Sequence, residues 1–224
     1  MNAVSNRSTR AGLFALIFLW FVSSGCAFLK PAESESRYYL LTSEIPSKGS
    51  AAHNKSDAGK VVRILPVDVA NYLQNRSMAV RAGTNEVVFA LFHQWAEPLS
   101  DGVRRVLAQD LVTLPGIRAV LTDQSAPAGE TVYSVSVHVL QCEGMRGDSK
   151  SLALFKAEWE ITGPGLKRNV LSHGTFQAPK SVWHAGDYDE LANELSRALA
   201  GLSRALNQAI SSENQNQSPP DRRG

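Results

Sequence analysis

Residues Thr131–Gly144 read TVYSVSVHVLQCEG. Tyr133, Val135, Val137 and Val139 fall on one side of an extended chain, and Ser134, Ser136 and His138 on the other. A strict period of two with β-branched residues is the signature of a strand with one buried and one wet face. The next segment, Ser151–Gly163 (SLALFKAEWEITG), repeats the pattern. Ala153, Phe155, Ala157, Trp159 and Ile161 share a face, with Lys156, Glu158 and Glu160 opposite. The polar stretch GMRGDSKS between them reads as a turn. Gly163-Pro164-Gly165 turns the chain again toward RNVLSHGTFQA. Three long segments of this kind predict an antiparallel meander whose apolar face needs a cover.

Two amphipathic helices supply that cover. In HQWAEPLSDGVRRVLAQDLVTLPG, Leu99, Val103, Val106, Leu107, Leu111 and Leu114 recur at helical spacing. Pro98 suits the first turn, where its missing N–H costs nothing, and Glu97 and Asp101 complement the helix dipole. Pro115-Gly116 stops the helix. Further on, DYDELANELSRALAGLSRALNQAISS places Tyr188, Leu191, Leu195, Ala198, Leu202, Ala205 and Ala209 three and four apart, with Leu199 and Leu206 beside them. Asp187 with Glu190 has the spacing of a capping box. This helix is expected to lie on the sheet; a second copy of the chain is an alternative partner for it.

Shorter strands precede the meander: RYYLL (Arg37–Leu41), VVRILPVDV (Val61–Val69), a hairpin of SMAVRAG (Ser77–Gly83) and EVVFALF (Glu86–Phe92), and IRAVLT (Ile117–Thr122). Thr42–Lys60 has no periodicity and reads as a long loop. The expected class is α/β in the α+β sense: one domain, a mixed, largely antiparallel sheet, and two amphipathic helices packed on it.

The N-terminus carries a different message. Arg7 and Arg10 precede an uncharged apolar run from Ala11 to Val22, AGLFALIFLWFV. That run is shorter than the roughly 20 residues a membrane-spanning helix needs, and its flanks are those of a secretory signal. Ser23, Ser24 and Gly25 lead to Cys26. This resembles a bacterial lipobox, in which the cysteine is acylated after cleavage before it, although Ser23 stands where Leu is usual. The expected organisation is a signal peptide at 1–25, a lipidated cysteine and tether at 26–36, the domain at 37–212, and a polar tail at 213–224 expected to be disordered. Ala27, rather than Asp, follows the cysteine, which in such lipoproteins implies the outer membrane.

Without the signal, the chain's 23 Lys and Arg become 21, equal to its 21 Asp and Glu. A neutral chain has no general electrostatic footprint for nucleic acid. With Cys26 acylated, Cys142 has no partner, so no intrachain disulfide is expected, and a lone cysteine on a strand reads as a small buried apolar group. The histidines, His53, His93, His138, His173 and His184, lack the i, i+4 spacing of a zinc pair. His138 and His173 lie on the polar faces of neighbouring segments and could approach each other. No GxSxG elbow or glycine-rich phosphate loop occurs. No catalytic residue, metal or cofactor is therefore assigned.

Tyr38–Leu41 (YYLL) soon after a lipobox, Val61–Leu111 with its ANYLQNRSMAVR and QWAEPL stretches, and a closing amphipathic helix resemble the ABC-type transport auxiliary lipoproteins, the PqiC-like or YmbA-like group. The loop after YYLLT is longer than that group's pattern. The resemblance implies an outer-membrane lipoprotein, not an enzyme, that works with an MCE-domain protein and an inner-membrane ABC transporter in moving phospholipid and so supports membrane integrity. Trp95, Glu97 and Pro98 are the motif residues, read as helix-start structure or as a partner contact. A lipoprotein regulator of a cell-wall synthase and a periplasmic hydrolase with a dispersed site are the alternatives.

Overall fold

The computed structural model describes residues 35–46, 59–125, 129–164 and 169–216, with side chains to Ser212. The signal segment, Cys26, most of the tether, His53 and much of the 42–60 loop lie outside the described residues, as does the tail from 217. From Ser36 onward the described residues belong to one compact unit.

Among the described residues ten strands form one mixed sheet. They are β1 (Arg37–Tyr39), β2 (Lys60–Ile64), β3 (Asp68–Val69), β4 (Ser77–Arg81), β5 (Val87–Trp95), β6 (Ile117–Leu121), β7 (Val132–Met145), β8 (Ser151–Thr162), β9 (Val170–Gln177) and β10 (Ser181–Trp183). Among the described residues the helices are α1 (Leu99–Leu111) and α2 (Tyr188–Asn216), with a single 3-10 turn at Asn71–Gln74. The sequence opened above is the axis of the sheet. β8 pairs antiparallel along one edge of β7, from Ser134↔Thr162 to Met145↔Leu152. The other edge of β7 takes three short parallel strands in succession: β2 against Val132–Val135, β3 against His138–Val139, and β4 against Gly144–Met145. β9 and β10 complete the antiparallel meander on β8.

The expected strand Val61–Val69 is two strands. Pro66 has no N–H to give to a ladder, so pairing stops at Ile64 and resumes at Asp68, while Leu65 N still donates to Val135 O at 2.9 Å. β5 also runs on through His93, Gln94 and Trp95, residues expected to lead into the helix. Its extra length pairs with β1, in parallel.

Tyr133, Val135, Val137 and Val139 all face the core, as their alternation requires. The register then shifts between Val139 and Gln141, which leaves Leu140 as an extra residue. A bulge reverses which parity points inward. Beyond it, even positions face the helices: Cys142 is buried, and a Cβ on Gly144 would sit 2.7 Å from the Trp183 ring. Glu143 therefore points to the opposite face.

Both helices pack on the sheet and on each other. Pro98 caps α1 immediately before Leu99. Leu99, Val103, Val106, Leu107 and Leu111 are buried, and Gly116, at φ +80°, carries the chain away in the left-handed conformation glycine tolerates. In α2 the buried stripe runs through Leu191, Leu195, Leu199, Leu202, Leu206 and Ile210, leaving Ala198, Ala205 and Ala209 on its half-exposed flank. The α2 cap departs from a reciprocal box. Asp187 accepts from Glu190 N at 3.0 Å, but the Glu190 carboxylate bonds His184, at its backbone N (2.6 Å) and at its ring (2.8 Å).

Candidate docking surface at the N-terminal entry

The chain enters the domain at β1, which holds only β5: Arg37↔His93, Tyr38↔Gln94, Tyr39↔Trp95. Three residues of parallel pairing are a weak attachment, and the residues after them reinforce it. Leu41 is buried, and its carbonyl accepts from Arg105 Nη2 at 2.9 Å. Thr42 N donates to Ser196 Oγ at 3.0 Å. The Ser43 hydroxyl donates to Asp110 Oδ1. The entering strand is thus tied to both α1 and α2.

Trp95, Glu97 and Pro98 form the corner that makes this possible. Trp95 is only 4% exposed and belongs to the core. Its backbone is held from both sides, Trp95 N donating to Arg76 O (2.8 Å) and Ala96 N to Tyr39 O (2.8 Å). Glu97 Oε1 accepts from Arg105 at Nε (3.0 Å) and Nη2 (2.6 Å), so the same arginine grips Glu97 and the Leu41 carbonyl. Pro98 starts the helix that carries Arg105. The three motif residues are brought together; Cys26 lies outside the described residues.

Beside the corner four rings converge. Tyr39 and His93 stack at 5.8 Å and share a hydrogen bond, Oη to Nδ1, of 2.8 Å. His93 stacks on Tyr188 at 4.0 Å, and Tyr188 meets Trp183 at 5.7 Å. Burial, and then the Arg37 charge, hold the His93 imidazole below its usual range, while burial raises the Tyr188 phenol. A neutral imidazole is the form that stacks here without a desolvated charge. No spacing rule linked these residues, because they come from β1, β5, β10 and α2.

On the sheet face away from the helices, His138 and His173 do share one concavity, of about 410 Å³. Asp68, Glu158 and Glu160 line it with them, placed by the pairings Asp68↔His138, His138↔Glu158 and Glu160↔His173. Both imidazoles are exposed, and no group of three or more ligating side chains among the described residues has metal-binding geometry.

Two buried carboxylates escaped the sequence reading. Asp110 lies between α1 and α2, accepting from Ser203 Oγ at 2.8 Å and from Ser43. Glu143, on the outward face of β7, pairs with Arg81 at 2.8 Å beneath Tyr72. Asp110 had a visible signal, because it stands four residues after Val106 and three after Leu107, on the apolar face of its helix. Glu143 had none, since the bulge that redirects it follows from pairing.

Residues 39–207 match the model of the family described as ABC-type transport auxiliary lipoprotein component. A search of curated proteins gave no match. Among solved structures, protein XCC0632 from Xanthomonas campestris is 16% identical with a TM-score of 0.64, over 81% of this chain and 100% of its own. A crystal structure described only as an uncharacterized protein is 20% identical with a TM-score of 0.60, over 79% of this chain and 99% of its own. At such identities the two structures speak for the fold alone. The family's role is that of a non-enzymatic transport component, and the match runs from the end of β1 into α2: the chain belongs to the ABC-type transport auxiliary lipoprotein family.

Proposed function

We propose that this protein is the docking component of an intermembrane phospholipid transport system, anchored by acylated Cys26 in the outer membrane and facing the periplasm. Its partners in this reading are an MCE-domain protein and an inner-membrane ABC transporter, and its work supports membrane integrity. Membership of the transport auxiliary family over 39–207 is the observation that carries the reading. The Ser-Ser-Gly-Cys end of the apolar N-terminal run supports the anchor. A permanent anchor raises the local concentration of the domain, so a weak contact with a partner suffices. Trp95, Glu97 and Pro98 act here by holding the entering strand against the helices.

The test uses the full mature protein purified in detergent. It should carry acyl chains on Cys26 by mass spectrometry and co-purify with the MCE-domain protein of the same organism. Deleting the gene should sensitise cells to detergent, and Cys26→Ala should fail to restore resistance. Full rescue by the unanchored protein, or capture of cell-wall synthases alone, would replace this reading with that of a synthase regulator.

A further inference from the structure

The end of the domain that receives the tether is also where apolar side chains gather in the open. Tyr38 is 61% exposed, Leu40 49%, Phe92 45% and Leu91 73%, the highest of the exposed large apolar side chains among the described residues. Their position follows from register. Tyr39 and Trp95 turn inward, so Tyr38 and Gln94 turn outward together, and Phe92 lies two residues before Gln94 on that outward side. Leu40, between inward Tyr39 and buried Leu41, points the same way. Leu91 adjoins Phe92 where β5 slips its register against β4, from Ala79↔Phe89 to Ser77↔Gln94. Single exposed apolar residues are ordinary on a surface; a group of four is not.

Two further facts bear on what covers this group. Arg37 and Arg76 are exposed at the same corner of the sheet, in register with His93 and Trp95 rather than with Tyr38, and neither forms an ion pair among the described residues. Tyrosine, phenylalanine and leucine with flanking arginines is the composition of a membrane-interface contact, apolar tips in the acyl boundary and cations at the headgroups. The tether is also short. Eleven residues from Cys26 to Arg37 span at most about 40 Å when fully extended. The patch begins at the next residue, so it lies at the domain's point of attachment to the tether.

We infer that Tyr38, Leu40, Leu91 and Phe92, with Arg37 and Arg76, form a second membrane contact that rests on the bilayer holding the lipidated cysteine. This inference depends on the acylation of Cys26 proposed above. The tether makes the contact intramolecular in effect, so a shallow insertion too weak to recruit a free protein is enough to orient a tethered one. The contact would stand the domain on its β1–β5 edge and turn the far end of the molecule toward the periplasm.

The mature lipidated protein carrying Leu91→Cys, labelled there with an environment-sensitive fluorophore, tests this on vesicles of phosphatidylethanolamine and phosphatidylglycerol. Thr175→Cys, exposed on β9, serves as control. Lipids bearing a nitroxide near the headgroup should quench the label at 91 and spare the label at 175. Adding Phe92→Asp and Tyr38→Ser, both at exposed positions, should abolish that quenching while the protein stays vesicle-bound. Equal quenching at the two sites overturns the inference. So does a fluorophore at 91 that stays dark to lipid quencher while Leu91→Cys forms a disulfide between copies, which would assign the patch to a second copy. Intact mass separates the two readings. Missing acyl chains defeat both, whereas acylated protein without selective quenching defeats this inference alone.

Discussion

The Ser203 hydroxyl of α2 donates to Asp110 Oδ2 of α1 at 2.8 Å, and both residues are fully buried. The other carboxylate oxygen takes the Ser43 hydroxyl from the entering segment. One side chain therefore joins three parts of the chain. Burial raises the Asp110 pKa above its ordinary value, and the two serine hydrogen bonds offset only part of that. The folded state thus binds this proton more tightly than the unfolded state. The Asp110 contribution is fully present below the unfolded value, about 3.9, and is lost as pH rises through the folded value. Stability of Asp110→Asn relative to wild type should therefore improve as pH climbs from about 4 toward neutrality. Urea midpoints of the two proteins across that range measure it, and a pH-independent difference would contradict it. Asp110→Ala, which removes the acceptor shared by Ser203 and Ser43, should cost about 1–3 kcal/mol.

Arg81 and Glu143 should respond unequally to truncation. The Glu143 side chain is 0% exposed, whereas that of Arg81 is 23% exposed. Removing Arg81 leaves a carboxylate without its cation, a loss of about 3–5 kcal/mol. Glu143→Gln leaves an arginine that still reaches water and should cost less. Tyr72, whose phenol is raised by its own burial and then by Glu143, lies over the same pair. Denaturant titration of Arg81→Ala and Glu143→Gln ranks them, and the reverse ranking would sink the argument.

Gly144 has no room for a methyl group. A Cβ there would lie 2.7 Å from Trp183 Cζ2 and 3.2 Å from Leu191 Cδ2, and both neighbours are buried in the core. Gly144→Ala should destabilise by about 1–3 kcal/mol, the range for overpacking. A near-UV circular dichroism change from the displaced indole should accompany it. An unchanged melting temperature would show that the Trp183 pocket yields.

Cys142 should be chemically silent in the native protein. It is 1% exposed, and burial first, then the nearby Glu143 charge, pushes its thiol well up. Thiolate is the reactive form, so alkylation should proceed only at the rate of unfolding. Cys142→Ser should shift stability by about 0.5–3 kcal/mol. A stable intrachain bridge in the mature protein would contradict both expectations.

Where side-chain pattern and contact coincide, the sequence was readable. The alternation through Val139 and the heptad-like stripe of α1 each put the right residues inside, because burial on one face is a local property. What failed to show was pairing between distant segments. Nothing in VVRIL or SMAVR announces that both run parallel to β7, or that β5 continues to Trp95 to meet β1. The inward face also changes parity at Leu140, and only the β8 register reveals it. His138 on β7 and His173 on β9 did come to line one concavity across the intervening β8, since a meander of consecutive strands leaves little choice. The ring cluster around His93 did not show, because its members come from β1, β5, β10 and α2.

The attachment of β1 also has a mechanical meaning. Load arriving along the N-terminal segment meets the three-residue pairing with β5 first. If that pairing peels, the load passes to Leu41–Ser43, where Arg105, Ser196 and Asp110 hold the chain against both helices. The fold therefore carries an outer seam at β1 and an inner catch at Leu41–Ser43. Tension on the N-terminal segment can be absorbed by lengthening at the edge of the sheet while the helix layer and the long β7–β8 ladder keep their shape.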